Sequence, residues 1–102
     1  MISLVPMNTV ANRYYIHHNG EVCGILDLIQ HEQCTHIQYI KIYEEYRRMK
    51  IATKVVDLIR NTNHDKYIYG DALPEAIEFW KSIGVEFEEL INEFATTPFH
   101  LI

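Results

Sequence analysis

The chain has 102 residues and a net charge of −5, with 48% hydrophobic and 23% charged residues. That length suits one domain over residues 1–102 with one core and leaves no room for a second, and the composition is globular, not disordered or fibrous. The acidic balance argues against general binding to nucleic acid or anionic membrane, since both partners need a basic face.

Cys23 and Cys34 are too few for a disulfide framework. The opening MISLVPMNTVANRYY lacks the basic segment and long apolar run of a secretion signal. A cytoplasmic location with reduced thiols is therefore expected, and no apolar run approaches the length of a membrane span.

Residues 2–5 read as a short strand and residues 6–12 as a loop too short for more than one helical turn. RYYIHH, Asn19-Gly20 and EVCGILDLI then make a hairpin, because Asn-Gly between two β-prone runs supplies the positive φ values of a tight turn. QHEQCT turns the chain again, and HIQYIKIY returns as a third antiparallel strand. From residue 48 to about 61, Ile51, Val55, Leu58 and Ile59 share one helical face.

KYIYG follows as a strand. DALPEAIEFWKSIG is a second helix, with Pro74 in its first turn, Gly84 just past its end and Ala76, Phe79, Trp80 and Ile83 as its buried stripe. VEFEELI and TPFHLI close the chain as two more strands. The helix between the third meander strand and the next strand makes that pair parallel. In such sheets ligands sit at the carboxyl ends of strands, where helix N-termini point, which here means residues 43–52.

Arg47, Arg48 and Lys50 crowd the start of the first helix, where the macrodipole favours acids. Three cations at a positive helix end point to an anion, because the free N–H groups of a first helical turn form a ready phosphate site. A solvated basic turn without a ligand is the plain alternative.

Ile40 and Ile42 leading into Arg47-Arg48-Met49-Lys50-Ile51-Ala52, with Ala76, Trp80, Gly84 and Val85 further on, resemble the two ordered motifs of the GCN5-related N-acetyltransferase (GNAT) superfamily. The resemblance covers most of the chain. It implies an α/β fold with a mixed, mostly antiparallel sheet and two main helices, in a short form without the family's first two helices. It also implies acetyl-CoA as cosubstrate, held by Ile40, Lys41 and Ile42 of the strand and by the loop and helix start through Thr53. Lys50 stands where the family usually has glycine. Ordinary helical dihedrals would let its stem point aside and its ammonium join the phosphates, whereas a positive φ would weigh against CoA.

Aminolysis of a thioester needs a neutral amine, and a lysine amine of pKa about 10.4 must first lose its proton. The resemblance looks for a carboxylate on the strand 67–70, which has none. Asp71 lies just beyond it, with Gln38 and His36 on the neighbouring strand, and histidine is the side chain that titrates nearest neutrality. Trp80 takes the place of the family's tyrosine acid. Its indole cannot donate a proton from oxygen, so Tyr69 or Tyr39 would have to supply a hydroxyl, although a Trp on an apolar stripe more often packs in a core. His31, Cys34 and His36, with His17 and His18 on opposite faces of their strand, lack the paired spacing of a zinc site, so no metal is expected.

The sequence thus reads as an acetyl-CoA-dependent N-acetyltransferase acting on an amine. The short loop at residues 6–12 leaves the acceptor side open and favours a basic protein acceptor. The alternative is a catalytically inactive binding module of the same fold, with or without CoA, acting through protein contacts. Strand edges leave a homodimer open as a further reading.

Overall fold

The computed structural model describes residues 1–63, 65–88 and 96–101. Its strands are β1 (Ile2–Pro6), β2 (Arg13–His18), β3 (Glu21–Gln30), β4 (Cys34–Ile42), β5 (Tyr67–Ala72), β6 (Glu86–Phe87) and β7 (Thr97–His100), with helices α1 (Ile51–Thr62) and α2 (Ile77–Ile83). One sheet runs in the order β1-β2-β3-β4-β5-β7-β6. Every neighbouring pair is antiparallel except β4 and β5, which the α1 crossover makes parallel. This is the α/β arrangement expected, a mixed and mostly antiparallel sheet with two main helices.

The hairpin turns where Asn19 and Gly20 take φ values of 51° and 85°, the pair of positive φ angles that a two-residue turn with matching twist requires. Between β1 and β2 the chain makes only turns, without a helix, over residues 7–12. β4 begins two residues before the expected strand, and β5 extends to Ala72. The predicted strand VEFEELI is reduced to Glu86–Phe87 in the described residues, and its last three positions lie outside them.

α1 starts at Ile51, three residues later than its periodicity suggested, so Arg47, Arg48 and Lys50 belong to the loop before it. Its buried stripe is Ile51, Val55, Val56 and Ile59. Val56 takes the place predicted for the half-buried Leu58 because the helix is rolled toward its Val56 side. The C-terminal end is pinned by a buried asparagine: Asn63 Nδ2 donates to the Ile59 carbonyl at 2.9 Å, and Asn63 Oδ1 accepts from Thr35 Oγ1 of β4 at 3.1 Å. Burial without these partners would cost the desolvation of each group, so the pair fixes the helix on the sheet. α2 is preceded by a tight turn at Pro74–Ala76 and stopped by Gly84 at φ 90°. Only Trp80 of its stripe is fully buried, with Ala76, Phe79 and Ile83 packed partly against the core.

Both helices cover the same face of the sheet. Leu26, Leu28, Thr35, Ile37, Ile68, Gly70, Ala72 and Phe99 point into that face and are buried, together with the α1 stripe and Trp80. The alternate residues point the other way. Arg13, Tyr15, Ile25, Asp27, Ile29, His36, Tyr67, Tyr69 and Asp71 are all half-buried or exposed. No described element lies over them, and across this open face Arg13 grips Asp27 with two bonds of 2.7 and 2.8 Å.

Gly70 sits where β5 meets β4 and β7 on the buried face. A β-carbon there would lie 2.6 Å from the Ile37 carbonyl oxygen and 2.7 Å from the Phe99 ring. The carbonyl is fixed in the sheet, and Phe99 is held by Trp80, whose ring centroid is 4.2 Å away. Gly70→Ala should therefore destabilise the protein by about 1–3 kcal/mol through overpacking, read as a lower urea midpoint at unchanged slope.

Candidate functional site

A cleft opens where two strands part. β4 and β5 pair from Cys34↔Tyr67 to Ile37↔Gly70 and no further, although β4 continues to Ile42 and β5 to Ala72. At the parting, Asp27 of β3 opposes Tyr39 and Leu28 opposes Ile37, so Gln38 is the extra residue of a β-bulge. A bulge bends its strand and increases the local twist, which carries the end of β4 away from β5. The resulting cleft has a volume of 520 Å³. Residues 37–42 form one wall, Arg47 and Ala52 one end, and Asp71, Leu73, Glu75, Ala76, Phe79 and Trp80 the other wall.

The loop at the Arg47 end has an unusual backbone. After a tight turn at Glu44–Tyr46, Arg47 is extended and its Nε donates to the Ile42 carbonyl at 3.2 Å. Arg48 then takes φ 71° and Lys50 φ 57° with ψ 29°, both in the left-handed region. Tyr46 anchors the turn by donating its hydroxyl to Glu21 at 2.9 Å, and that bond, followed by desolvation, raises the Tyr46 pKa.

Lys50 is the residue before α1 and makes no side-chain capping bond; the first helical bond runs from Lys54 N–H to the Lys50 carbonyl at 3.1 Å. The N–H groups of Ile51, Ala52 and Thr53 precede that bond and have no partner within the helix. Of the two conformations open to Lys50, ordinary helical dihedrals and a positive φ, the structure has the second, the one that weighs against CoA, with a lysine in a glycine-like turn. The side chains of Arg47, Arg48, Met49 and Lys50 are all exposed, and of these only Arg47 lines the cleft.

Of the predicted holding residues, Ile40, Lys41, Ile42, Arg47 and Ala52 line the cleft, while Arg48, Met49, Lys50, Ile51 and Thr53 form the turn and helix start behind it. Of the catalytic candidates, Gln38, Tyr39, Asp71 and Trp80 line it. Trp80 also belongs to the core at 5% exposure, stacked on Phe99 and edge-on to Phe79 at 4.9 Å. Tyr69 does not line the cleft. It lies on the open face, stacked on His36 at 4.6 Å and on Tyr67 at 5.7 Å, and so is poorly placed to protonate a group inside the cleft.

His36 Nε2 stands 3.6 Å from Asp71 Oδ2 and has no hydrogen-bond partner. Leu73 and Glu75 were not anticipated in the wall; the signal was Pro74, whose turn brings the residues on either side of it to the cleft. Among the described residues no group of three His, Cys, Asp or Glu side chains is placed to hold a metal, and no helix is long and apolar enough to cross a membrane.

No protein-family model and no curated protein matches this sequence. Solved structures do match it in fold. An acetyltransferase from Thermus thermophilus superposes with a TM-score of 0.70 at 13% identity, over 90% of this chain and 64% of the other. An N-acetyltransferase from Staphylococcus aureus gives 0.67 at 13% identity, over 88% and 68%. The Bacillus subtilis N-acetyltransferase YlbP, crystallised with coenzyme A, gives 0.67 at 11% identity, over 87% and 66%. This chain thus has the GNAT fold and spans about two thirds of the length of these structures.

A left-handed conformation costs a non-glycine residue about 1–2 kcal/mol, partly offset on replacement by the greater freedom of glycine in the unfolded chain. Lys50→Gly should accordingly raise stability by about 0.5–1 kcal/mol, measured by urea unfolding. A loss of stability would show that the lysine side chain itself holds the turn.

Proposed function

We propose that this protein is an N-acetyltransferase that takes its acetyl group from acetyl-CoA and passes it to an amine on a protein acceptor. The observation that carries this reading is that one cleft combines a phosphate-compatible end with a carboxylate in its wall. At the end, Arg47 and Ala52 adjoin the free N–H groups of the α1 start; in the wall stands Asp71. The positive φ at Lys50 counts against CoA where a side chain there would crowd the phosphates, but that side chain is exposed and outside the cleft lining, so the residues that do line the cleft leave room for CoA. First-turn N–H groups and guanidinium groups are the donors that a pyrophosphate needs. The exposed edge of β4 beyond Ile37 offers unpaired backbone groups to an extended pantetheine arm.

Acetyl-CoA supplies an activated acyl group on a thiol that leaves readily. The chain's part is to orient the acceptor amine and take its proton. On this reading the lysine ammonium first gives up one proton to solvent, and as the neutral nitrogen then bonds to the carbonyl carbon Asp71 receives its second proton and the carbon–sulfur bond breaks, with the electron pair leaving on sulfur. Trp80 forms an apolar wall near that point and contributes no proton. A thiol of pKa about 8.5 departs tolerably as the thiolate, so the missing acid costs less than a missing base would.

Acetyl-CoA should bind with a micromolar dissociation constant, roughly −7 to −9 kcal/mol, by calorimetry. Arg47→Ala should weaken CoA more than it weakens pantetheine lacking the phosphates; equal losses would place Arg47 away from the pyrophosphate.

Asp71→Asn should lower the turnover of a lysine-bearing protein acceptor by about 10²-fold or more with CoA affinity unchanged. Thiol release from acetyl-CoA measures this. A wild-type protein that binds CoA and releases no thiol would favour the inactive binding module instead.

A further inference from the structure

The open face of the sheet carries a second feature beside the cleft. His36 of β4, Tyr69 of β5, His100 of β7 and Glu86 of β6 are direct cross-strand partners in one row, so their side chains project from the same face. Tyr67 stands two residues along β5 from this row and Asp71 two residues the other way, at the mouth of the cleft. The rings form a continuous strip: His36 on Tyr69 at 4.6 Å, Tyr69 on Tyr67 at 5.7 Å, and Tyr67 against His100 at 5.6 Å. Tyr67 remains 50% exposed.

Three carboxylates border the strip. Asp71 Oδ2 is 3.6 Å from His36 Nε2, Glu86 Oε2 is 3.4 Å from His100 Nε2, and Glu88 lies close enough to act on Tyr67. Burial first, then Glu88 and Glu86, push the Tyr67 phenol above its ordinary pKa. No lysine or arginine stands in the row. An exposed aromatic strip edged by carboxylates complements a cationic side chain, which gains from the ring face and from the acid together.

We propose that this strip docks a basic segment of the acceptor protein, with an arginine or lysine over Tyr67 within the field of Glu86 and Glu88 while the acceptor amine enters the cleft at Asp71. The inference rests on the transferase reading for the identity of the bound segment as acceptor. Tyr67 and Asp71 are four residues apart on an extended strand, roughly 13 Å. An extended peptide covers that span in about four residues, so the second cation should lie three to five residues from the modified lysine.

The test uses fluorescein-labelled peptides carrying a lysine and, four residues away, arginine, alanine or glutamate, with binding to the full chain read by anisotropy without acetyl-CoA. The arginine peptide should bind more tightly than the alanine peptide, and the glutamate peptide least. Added salt should weaken the arginine peptide. Tyr67→Ala should weaken the arginine peptide by roughly fivefold, and Tyr67→Phe, which keeps the ring, should retain its affinity.

Equal binding of the arginine and glutamate peptides, or wild-type affinity in Tyr67→Ala, would overturn the proposal. So would sedimentation showing a dimer that Tyr67→Ala dissociates, since a second copy would then occupy the face. Calorimetry with CoA separates the two readings: peptide binding of the expected pattern without CoA binding supports the docking strip and removes the transferase.

Discussion

The parting of β4 from β5 after Ile37↔Gly70 is the constraint on which the rest of this molecule depends. A sheet has no reason to open in its middle, since each lost pairing leaves backbone donors and acceptors without partners. Here the opening is built in from both sides. On one side the bulge at Gln38 turns β4 away. On the other, Gly70 lets Ile37 and Phe99 approach as no side chain would allow, so the last bonded pair is held close just before the strands diverge. β7 then pairs with the far edge of β5 as far as Ala72 and keeps that strand straight beyond the parting. One wall of the cleft bends while the other is braced.

The loop before α1 depends on the same opening. Because β4 is carried outward, the chain must turn sharply to bring α1 back across the sheet, and it does so with Arg48 and Lys50 both at positive φ. Strain of this kind persists only where surrounding contacts over-determine the backbone. Those contacts are present: Arg47 on the Ile42 carbonyl, Tyr46 on Glu21, and the α1 stripe seated in the core. At the other end of α1, the Thr35–Asn63 bond ties the helix to the paired half of β4. The helix start is thereby held beside the cleft although no side chain caps it.

Most of the fold was legible in the sequence because its signals were local. Asn19-Gly20 marked the hairpin, Gly84 the end of α2, the β-prone run HIQYIKIY marked β4, and the spacing of Ile51, Val55 and Ile59 marked the buried face of α1. What could not be read was conformation at single residues. A basic run of Arg-Arg-Met-Lys carries no mark of positive φ, so periodicity alone placed the start of α1 three residues early. The bulge at Gln38 was hidden for the same reason, since an extra residue is visible only against its partner strand. Tyr69 falls outside the cleft because it lies in the part of β5 still paired with β4, opposite His36, whereas Asp71 lies beyond the parting, and where two strands part is not visible in either one alone. The loop before α1 was readable as a place through its resemblance to a family motif, while Asp71 was noted only as the carboxylate just beyond a strand that has none; the open face was anticipated only as the cover that the short loop 6–12 cannot supply.

The position of Trp80 shows how such a small chain divides its side chains between stability and a site. With 102 residues the core is thin, and α2 contributes to it only Ile77, Phe79, Trp80 and Ile83, of which Trp80 alone is buried. Its ring lies on Phe99, which in turn meets the close approach at Gly70. The same ring lines the cleft. A tyrosine there would bury less apolar surface and bring a hydroxyl that needs a partner, whereas the indole fills the space between sheet and helix and still presents an apolar edge to the cleft. The cleft thus has a wall that is also part of the core, and any chemistry in it has to draw its polar groups from elsewhere in the lining, from Gln38 at the bulge of β4, Asp71 near the end of β5, and Arg47 and Glu75 in the loops.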